Sequence, residues 1–257
     1  MVKHTSNWAV IIGGSQGLGF ASAKFLAEDG FNLIIIHRDF RAELGAIQQK
    51  FEDLKSNGVD LISFNKDATK KETIDKVFNL IKEQDLKIKV LLHSVAKGNL
   101  KLMTGDNSLN LNDFQQSIHA MGINFYEWSK ALVDSKCYAK ESRLIAFTSE
   151  GNTKVSVGYG AVSAAKVTLE SIMRQMAIEF APLGITSNCI QAGMTDTESF
   201  RKIPDSEKLK AYTLKRNPFK RLTKPDDVGK VISLLADEKS KWINGCIIPV
   251  DGGERLN

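Results

Sequence analysis

Several features that define common protein classes are absent from this sequence of 257 residues. Its three cysteines, Cys137, Cys189 and Cys246, show neither CxxC nor Cys/His spacing, which argues against a disulfide framework and against a zinc site. Since Cys189 and Cys246 stand inside apolar runs, we expect both thiols to be buried in the core. A Pro-, Gly- or Ser-rich linker is also missing, so we expect residues 1–257 to form a single domain.

Long apolar segments are missing as well. No run approaches the roughly 18 residues that span a bilayer, and the N-terminus lacks the apolar region of a signal peptide. We therefore expect no membrane association and a cytoplasmic location. A composition of 42% hydrophobic and 25% charged residues is typical of a globular protein.

Positive charge is in mild excess, with a net charge of +5. The lysines form no basic stripe interleaved with aromatic residues, so nucleic-acid binding is not expected. The excess indicates either an ordinary basic surface or attraction for an anionic partner, such as a phosphorylated cofactor or an acidic carrier protein. The lysines that could meet such a carrier are Lys97, Lys101, Lys202, Lys208 and Lys210.

The sequence does contain a regular alternation of short apolar runs with amphipathic segments. The runs are nearly continuous in hydrophobicity, as in strands of a parallel sheet covered on both faces. They are Ala9–Ile12, Leu33–Ile36, Leu61–Phe64, Val90–Leu92, Leu144–Phe147, Thr186–Ile190 and Cys246–Val250. Helices are predicted at Gly19–Asp29, Arg41–Asn57, Lys71–Gln84, Leu111–Ser135, Val162–Ala181 and Pro225–Ala236. This alternation predicts an α/β fold with one doubly wound parallel sheet of the Rossmann type, about seven strands and helices on both faces.

Two long polar stretches, Lys97–Asn110 and Met194–Thr223, fit neither pattern. In doubly wound folds, ligands bind at loops that follow the carboxyl ends of the strands. Long loops in compact domains are more often functional than idle, so we expect these stretches to lie near a ligand site.

A glycine-rich loop joins the first predicted strand to the first predicted helix. Gly13 permits a tight turn, Gly17 lets the backbone approach a pyrophosphate, and Gly19 allows the helix to pack closely on the strand. The helix N-terminus offers free N–H groups and the positive end of its dipole to phosphates. This position in a βαβ unit predicts a dinucleotide-binding site. Its candidate residues are Gly13, Ser15, Gln16, Gly17, Leu18 and Gly19.

The Gly-x3-Gly-x-Gly spacing resembles that of the short-chain dehydrogenase/reductases, and the resemblance covers nearly the whole chain. Asp67-Ala68 is similar to the pair that binds adenine in that family, and residues 93–96 stand in the place of its Asn-Asn-Ala-Gly. Residues 192–197 resemble the segment that holds the nicotinamide carboxamide and the phosphates, and residues 250–253 resemble its C-terminal Val-Asp-Gly-Gly. The resemblance implies cofactor contacts from Asp67, Ala68, Ser94, Val95, Ala96, Gly193, Thr195 and Thr197.

The end of the second predicted strand bears on the choice of cofactor. NAD users commonly have a carboxylate there, whereas this chain has His37-Arg38, and arginine can bind a 2′-phosphate through two hydrogen bonds. Asp39 follows and could neutralise Arg38, and Gln16 stands where NADP-binding relatives often carry a second basic residue. We expect His37 and Arg38 to select NADPH, with NADH as the alternative.

A tyrosine and a lysine, Tyr159 and Lys166, stand seven positions apart, whereas the usual interval in the family is four. Alignment on Lys166 places Val162 at the usual tyrosine, Met121 near the usual helix asparagine, and Ser149 at the usual serine. The resemblance implies that Lys166 holds the nicotinamide ribose hydroxyls and lowers the pKa of the tyrosine. The catalytic candidates are therefore Tyr159, Lys166 and Ser149, in a set from which two ordinary members are missing.

The seven-residue interval resembles the Tyr-x6-Lys pattern of enoyl-acyl carrier protein reductases, of the branch close to ketoreductases. Reduction of an enoyl thioester places hydride on Cβ, and negative charge develops on the thioester oxygen, two bonds further from that carbon than a ketone oxygen is, so a displaced donor is consistent with this chemistry. The second aromatic residue of well-known members is absent near Ser149. The resemblance implies NADPH-dependent reduction of an enoyl thioester, free or on an acyl carrier protein. The alternatives are a 3-oxoacyl-thioester or carbonyl reductase and a catalytically degraded dinucleotide-binding relative.

Two further expectations concern His93 and assembly. A histidine at a strand end more often orients backbone near a cofactor than transfers protons, and we favour that role for His93. The resemblance also implies a homotetramer or homodimer formed through the helices Leu111–Ser135 and Val162–Ala181. No metal site is expected.

Overall fold

The computed structural model of this protein describes residues 7–201 and 206–257. All seven strands pair in parallel in one sheet, in the order β3-β2-β1-β4-β5-β6-β7. The strands are β1 Asn7–Ile12, β2 Asn32–His37, β3 Leu61–Asn65, β4 Lys87–His93, β5 Tyr138–Thr148, β6 Thr186–Ala192 and β7 Ile247–Val250. The predicted doubly wound sheet is confirmed, and its strand order reverses between β1 and β4, where such folds bind ligands.

Helices cover both faces of the sheet, as the alternation predicts. In chain order they are α1 Gly17–Glu28, α2 Leu44–Lys55, α3 Lys71–Glu83, α4 Leu111–Ile118, α5 Asn124–Asp134, α6 Gly160–Glu179, α7 Glu198–Arg201, α8 Ser206–Arg216 and α9 Pro225–Ala236. Apolar side chains of α3, α5 and α6 pack on one face of the sheet, and those of α1, α2 and α9 pack on the other. None of the helices within the described ranges combines the length and the apolar character that crossing a bilayer requires.

The carboxyl ends of the central strands bring distant segments of the chain to one edge of the sheet. Gly13 follows β1, Ser94 follows β4, Ser149 follows β5 and Gly193 follows β6. Because parallel strands all end at the same edge, these four positions frame the cleft at the reversal of strand order. The N-terminus of α6 lies at that edge and carries Tyr159 as its N-cap residue.

Two expectations about secondary structure need correction. The polar stretch Met194–Thr223 contains the helices α7 and α8, and the predicted helix Leu111–Ser135 is interrupted by a π-helical turn at His119–Ile123. Such turns are common near functional sites, and this one packs against α6, since a Cβ on Gly122 would lie 3.1 Å from the backbone oxygen of Ala165.

The fifth strand also begins six residues earlier than predicted, at Tyr138. A hydropathy pattern does not identify the first half of this strand, because that half contains the charged residue Arg143. Arg143 is nevertheless buried, with 2% of its surface exposed. The guanidinium donates through Nε to the backbone oxygen of Leu235 at 3.0 Å, near the end of α9, and through Nη1 to that of Glu141 at 2.6 Å. The buried guanidinium thus donates hydrogen bonds to backbone oxygens, including one near the end of α9, where the helix leaves carbonyl groups without partners.

The expectation for the cysteines is half right. Cys189 lies in the central strand β6 and is fully buried, with a pKa that burial raises to about 12. Cys246 is exposed, because it directly precedes the edge strand β7, which has a neighbour on one side only. An apolar run at a sheet edge therefore does not guarantee burial.

Candidate active site

The glycine-rich loop has the close contacts that its sequence predicts. Gly13 has a φ of +87°, and a Cβ there would lie 2.4 Å from the backbone oxygen of Ser94. A Cβ on Gly19 would lie 2.1 Å from the backbone oxygen of Gly13, so side chains are excluded at both positions. Ser94 N donates to the backbone oxygen of Ile12 at 2.7 Å, which fixes the β4 loop beside the glycine loop. Ser15 is buried and Leu18 packs on the core behind the loop.

The third glycine, Gly17, begins α1. Its φ is +55°, and a Cβ there would meet the methyl group of Thr197 at 3.4 Å. The segment that follows β6 thus closes over the glycine loop. Gly193 N donates to the backbone oxygen of Val250 at 3.0 Å, and Thr195 Oγ1 donates to that of Gly193 at 2.9 Å. These bonds fix the predicted nicotinamide-side segment opposite the N-terminus of α1.

At the other end of the cleft, the cation–carboxylate pairs differ from those expected. Arg38 Nη1 donates to Asp67 Oδ2 at 3.0 Å, so it does not pair with Asp39. Asp39 instead lies 2.7 Å from Nδ1 of His37, and Gln16 Nε2 donates to it at 3.4 Å. Asp39, which could have neutralised Arg38, therefore does not do so. Arg38 keeps 66% of its side chain exposed, which leaves the guanidinium accessible to an anion.

The predicted adenine pair lies beside this cation. Burial raises the pKa of Asp67, but hydrogen bonds from Thr69 and the charges of Lys97 and Arg38 outweigh it, and the net pKa is lowered. The backbone oxygen of Ala68 accepts from Trp128 Nε1 at 3.0 Å. Val95 is half-buried against the core, whereas Ala96 is exposed at the mouth of the cleft.

A dinucleotide fits these residues. The glycine loop provides a cradle in which a Cβ would displace backbone, and the helix end behind it offers N–H groups to phosphates. The exposed Arg38 lies at the end of β2, where the adenosine ribose of a bound dinucleotide is held in this kind of fold.

The catalytic candidates meet at the opposite end of the cleft. Tyr159 Oη donates to Ser149 Oγ at 3.2 Å, and Ser149 Oγ also accepts from Gly151 N at 3.1 Å. Burial raises the pKa of Tyr159, and the bond to Ser149 partly opposes this. Lys166 does not contribute to this shift, so the expectation that it lowers the pKa of Tyr159 is not met. Tyr159 is therefore a protonated hydroxyl at neutral pH, ready to donate to a substrate oxygen.

Apolar side chains fill the positions where the family's ordinary tyrosine and asparagine stand. Val162 and Met121 are 6% and 2% exposed and pack together with Ala165 in a small cluster. A Cβ on Gly98 would lie within 2.6 Å of both side chains, so the loop after β4 closes the cluster from outside. Both positions therefore hold packed apolar side chains, and the Tyr159 hydroxyl lies one turn before Val162.

Lys166 lies under this site with its ammonium group buried. Its Nζ donates to the backbone oxygen of Phe147 at 2.7 Å. Burial lowers the pKa of Lys166 to about 8, while electrostatic interactions with Cys189 and Glu170 oppose the shift. The lysine is still largely protonated at neutral pH and can hold hydroxyl groups of a bound ribose.

His93 is neutral and structural in this arrangement. It is 2% exposed, and burial together with the charge of Lys166 lowers its pKa to about 3. Its Nε2 lies 3.3 Å from Oδ1 of Asn124, whose Nδ2 donates to Glu127 and to the backbone oxygen of Ala68. Asn124 uses its amide nitrogen on acceptors, so its oxygen faces a protonated Nε2 of His93. A neutral histidine with this tautomer orients the β4 end and is no general acid.

Three residues of the site escape the sequence patterns. Asn124 anchors His93, Glu170 accepts hydrogen bonds on both sides of Ser149, and Arg216 ties α8 to the rest of the site. Arg216 Nη2 pairs with Glu150 and, at 2.7 Å, with Glu254 Oε1. Only Glu170 carries a signal in the sequence, as an acidic residue one turn after Lys166 on an otherwise apolar helix face.

Sequence comparison finds a family model and relatives that match nearly the whole chain. A family model described as enoyl-(acyl carrier protein) reductase matches residues 13–254. The NADPH-dependent aldehyde reductase-like protein, chloroplastic, of Arabidopsis thaliana is 27% identical over 256 residues, which cover 95% of this chain and 93% of that protein. The 3-oxoacyl-[acyl-carrier-protein] reductase MabA of Mycobacterium tuberculosis is 28% identical over 254 residues, with 96% and 92% covered.

Structure comparison agrees on the fold. The crystal structure of enoyl-[acyl-carrier-protein] reductase (NADH) from Aquifex aeolicus superposes with a TM-score of 0.85 at 20% identity, over 99% of this chain and 98% of that one. At this identity the likeness concerns the fold alone.

Proposed function

Because this chain belongs to the short-chain dehydrogenase/reductases, through the enoyl-(acyl carrier protein) reductase model that matches it, we propose that it reduces the C2=C3 double bond of an enoyl thioester with NADPH. Membership makes it an NAD(P)-dependent oxidoreductase. The proposed setting is fatty-acid or related acyl-chain synthesis in the cytoplasm. The substrate and the setting are the parts of this statement that require a test.

One observation carries the proposal. The hydroxyl donor stands seven residues before Lys166, while the usual tyrosine position is filled by buried Val162. A ketone requires its proton donor at the oxygen on the carbon that receives hydride. An enoyl thioester requires its donor at an oxygen two bonds further away, and a displaced tyrosine fits that demand.

The side chains of this site have separate tasks in the proposed reaction. Tyr159 donates a hydrogen bond to the thioester oxygen and stabilises the charge that develops there, while Ser149 orients the tyrosine hydroxyl. Lys166 holds ribose hydroxyls and keeps a positive charge near the reacting atoms. When bound, NADPH supplies the hydride that is added to Cβ. The apolar cluster of Met121, Val162 and Ala165 keeps water from the floor of the site.

Arg38 supports the choice of NADPH. Its exposed guanidinium pairs only at one edge with Asp67 and can turn to a 2′-phosphate. Arg38→Gln should raise the KM for NADPH at least about tenfold and leave the KM for NADH nearly unchanged. Steady-state rates with both cofactors check this, and a wild-type kcat/KM for NADH that equals or exceeds that for NADPH would contradict the choice.

The reaction itself is tested with two substrates of equal chain length. Crotonyl and acetoacetyl thioesters of N-acetylcysteamine are incubated with the protein and NADPH, and oxidation of the cofactor is followed by absorbance. Enoyl reduction requires kcat/KM for the crotonyl compound to exceed that for the acetoacetyl compound. The reverse order rejects the proposal and favours the carbonyl reductase.

A second candidate function is reduction of a 3-oxoacyl thioester or another carbonyl compound. Two relatives that cover most of the chain are named as an aldehyde reductase-like protein and a 3-oxoacyl reductase. The pairing of Ser149 with Tyr159 is also compatible with two donors to one carbonyl oxygen. NADPH binding without turnover of either test substrate would favour the degraded relative instead.

We also propose that the acyl group arrives on an acidic carrier protein. Residues 194–224, which we call the basic segment, hold nine Lys and Arg against four Asp and Glu, so their net charge equals the +5 of the whole chain. Lys97, Lys101 and Lys210 are committed to ion pairs within the protein, and Lys202 lies outside the described residues. Within the described ranges, Lys215 and Lys220 are exposed and form no ion pair, beside Tyr212 and Phe219, which are 60% and 74% exposed.

Charge reversal tests the carrier. Lys215→Glu with Lys220→Glu should raise KM for crotonyl bound to a carrier protein severalfold and leave KM for crotonyl N-acetylcysteamine unchanged, because only the carrier is acidic. Lys82→Glu, on the exposed side of α3, is the matched control. An equal effect on both substrates, or on neither, would reject docking at the basic segment.

A further inference from the structure

One buried carboxylate next to the catalytic side chains has no part in the reaction described above. Glu170 lies on α6, one turn after Lys166, and is 7% exposed. Its Oε1 accepts from Thr148 Oγ1 and from Asn152 Nδ2, both at 2.5 Å. A buried carboxylate is costly unless it is well bonded, so these two short bonds mark a built arrangement.

The two donors stand on either side of the Ser149 turn. Thr148 ends β5 directly before Ser149, and Asn152 ends the short 3-10 turn that follows it. Asn152 Oδ1 is buried and has no partner among the described residues, so the side chain is held through its bond to Glu170. Lys166, on the same helix as Glu170, donates a hydrogen bond to the backbone oxygen of Phe147, the residue before Thr148. Side chains of the helix α6 therefore hold the end of β5 and the residues on both sides of Ser149.

From this geometry we propose that Glu170 is a positioning residue of the reductase. It holds the Ser149 turn so that the serine hydroxyl meets Tyr159, and it balances the charge of the Lys166 ammonium. The inference rests on the reductase activity of the proposed function, whichever thioester is reduced. Within residues 7–201 and 206–257, Glu170 forms no hydrogen bond with Tyr159 or Ser149, and it acts through Thr148 and Asn152.

The charges around Lys166 come from three elements. His93 at the end of β4 is neutral, as its pKa of about 3 requires, and Cys189 on β6 is a protonated thiol with a pKa of about 12. Arg174, further along α6, acts on Cys189. Glu170 therefore supplies the negative charge that supports a protonated Lys166, whose pKa burial lowers to about 8. Removal of that charge should lower this pKa further.

Two variants separate the effect of the Glu170 charge from the effect of its hydrogen bonds. Glu170→Gln keeps an oxygen for both donors but removes the charge, so the alkaline limb of the kcat/KM profile should move down by about one pH unit. Asn152→Ala removes one donor on the far side of Ser149 and leaves the bond from Thr148 that keeps the carboxylate charged, so kcat should fall about tenfold without a shift of that limb. Glu179→Gln, at the exposed end of the same helix, is the control and should change neither.

The ionisation of Lys166 is read directly as well. NMR titration of the protein with ¹³C-labelled lysines gives the pKa of Lys166, assigned with Lys166→Met, and requires no substrate. A pKa of Lys166 that is the same in wild type and Glu170→Gln would overturn the charge balance. Unchanged kcat in Asn152→Ala would overturn the positioning. If neither thioester is turned over, the proposed function fails, while the NMR result still decides the role of the Glu170 charge.

Discussion

At the scale of single residues, the hydroxyl of Tyr159 is the donor that we propose for the reaction. It is protonated at neutral pH and bonded to Ser149 at 3.2 Å. Tyr159→Phe should lower kcat at least about tenfold, since a positioned acid contributes about 10²–10⁴. Affinity for NADPH, measured by quenching of protein fluorescence, should stay the same. Tyr126→Phe changes a half-exposed tyrosine on α5 and is the control; unchanged kcat in Tyr159→Phe would remove this residue from the mechanism.

His93 makes stability depend on pH with a sign that follows from its burial. Its folded pKa is about 3, against 6.5 for the free side chain, so between these values the unfolded chain binds the additional proton. Stability due to this residue is therefore complete above pH 6.5 and decreases as the pH falls toward 3. From pH 7.5 to 5.5 the loss is about 1.4 kcal/mol.

Urea unfolding at these two pH values measures the loss. His93→Asn lowers stability at both, but the difference between the two pH values should shrink by about 1.4 kcal/mol relative to wild type. An equal pH dependence in wild type and His93→Asn would show that His93 is protonated freely in the folded protein.

At the scale of elements, the junction of β1 with α1 depends on missing side chains. In Gly19→Ala, the new Cβ would lie 2.1 Å from the backbone oxygen of Gly13, so the helix must move away from the loop. Overpacking of this kind costs about 1–3 kcal/mol. We expect a raised KM for NADPH and a lower Tm in Gly19→Ala. Gly45→Ala in α2 meets no atom within 4 Å and should be neutral or stabilising.

The helix α8 is held to the site by a buried ion pair. The side chains of Arg216 and Glu254 are 7% and 2% exposed, and removal of one partner leaves an uncompensated charge. Arg216→Met should destabilise the protein by about 3–5 kcal/mol in urea unfolding and lower kcat/KM. Arg216→Met with Glu254→Gln should recover part of the stability, because the orphaned carboxylate is gone. If the double variant is no more stable than the single one, the pair is not the anchor.

The sequence predicts the sheet and the helices that pack on the sheet, but it does not predict α8. Strands such as β1 and β2 are built from consecutive buried aliphatic residues, which identify a sheet covered on both faces. Along α8 only Thr213 is buried, so no apolar period marks the helix. Its place depends on Arg216, whose partners are 66 and 38 residues away along the chain.

The same limit applies to the candidate site. Spacing along the chain identifies Gly13, Lys166, Tyr159 and Ser149, because one loop and one helix determine how far apart these residues stand in the sequence. The contacts of Asn124 with His93 and of Glu170 with Thr148 join residues 31 and 22 positions apart. Such pairs form only when the sheet and α6 are assembled, so no local pattern indicates them.

At the scale of the whole molecule, the outer faces of α5 and α6 expose several large apolar side chains to solvent. Val167 and Ile178 stand three helical turns apart on one side of α6 and are 50% and 73% exposed, and Ile123 and Tyr126 are 38% and 40% exposed where α5 begins. We expect these faces to pair between copies of the chain in a homodimer or homotetramer, since contiguous apolar surface marks interfaces.

Charge placed on that surface should dissociate the assembly. Val167→Glu with Ile178→Glu would bury two like charges beside their symmetry copies, which costs several kcal/mol. Light scattering coupled to size-exclusion chromatography should show monomers for this variant and a larger species for wild type. Phe40→Glu, which changes an 83% exposed side chain near the cofactor cleft, should leave the mass unchanged. A wild-type monomer, or an unaltered mass in the double variant, would exclude pairing through α6.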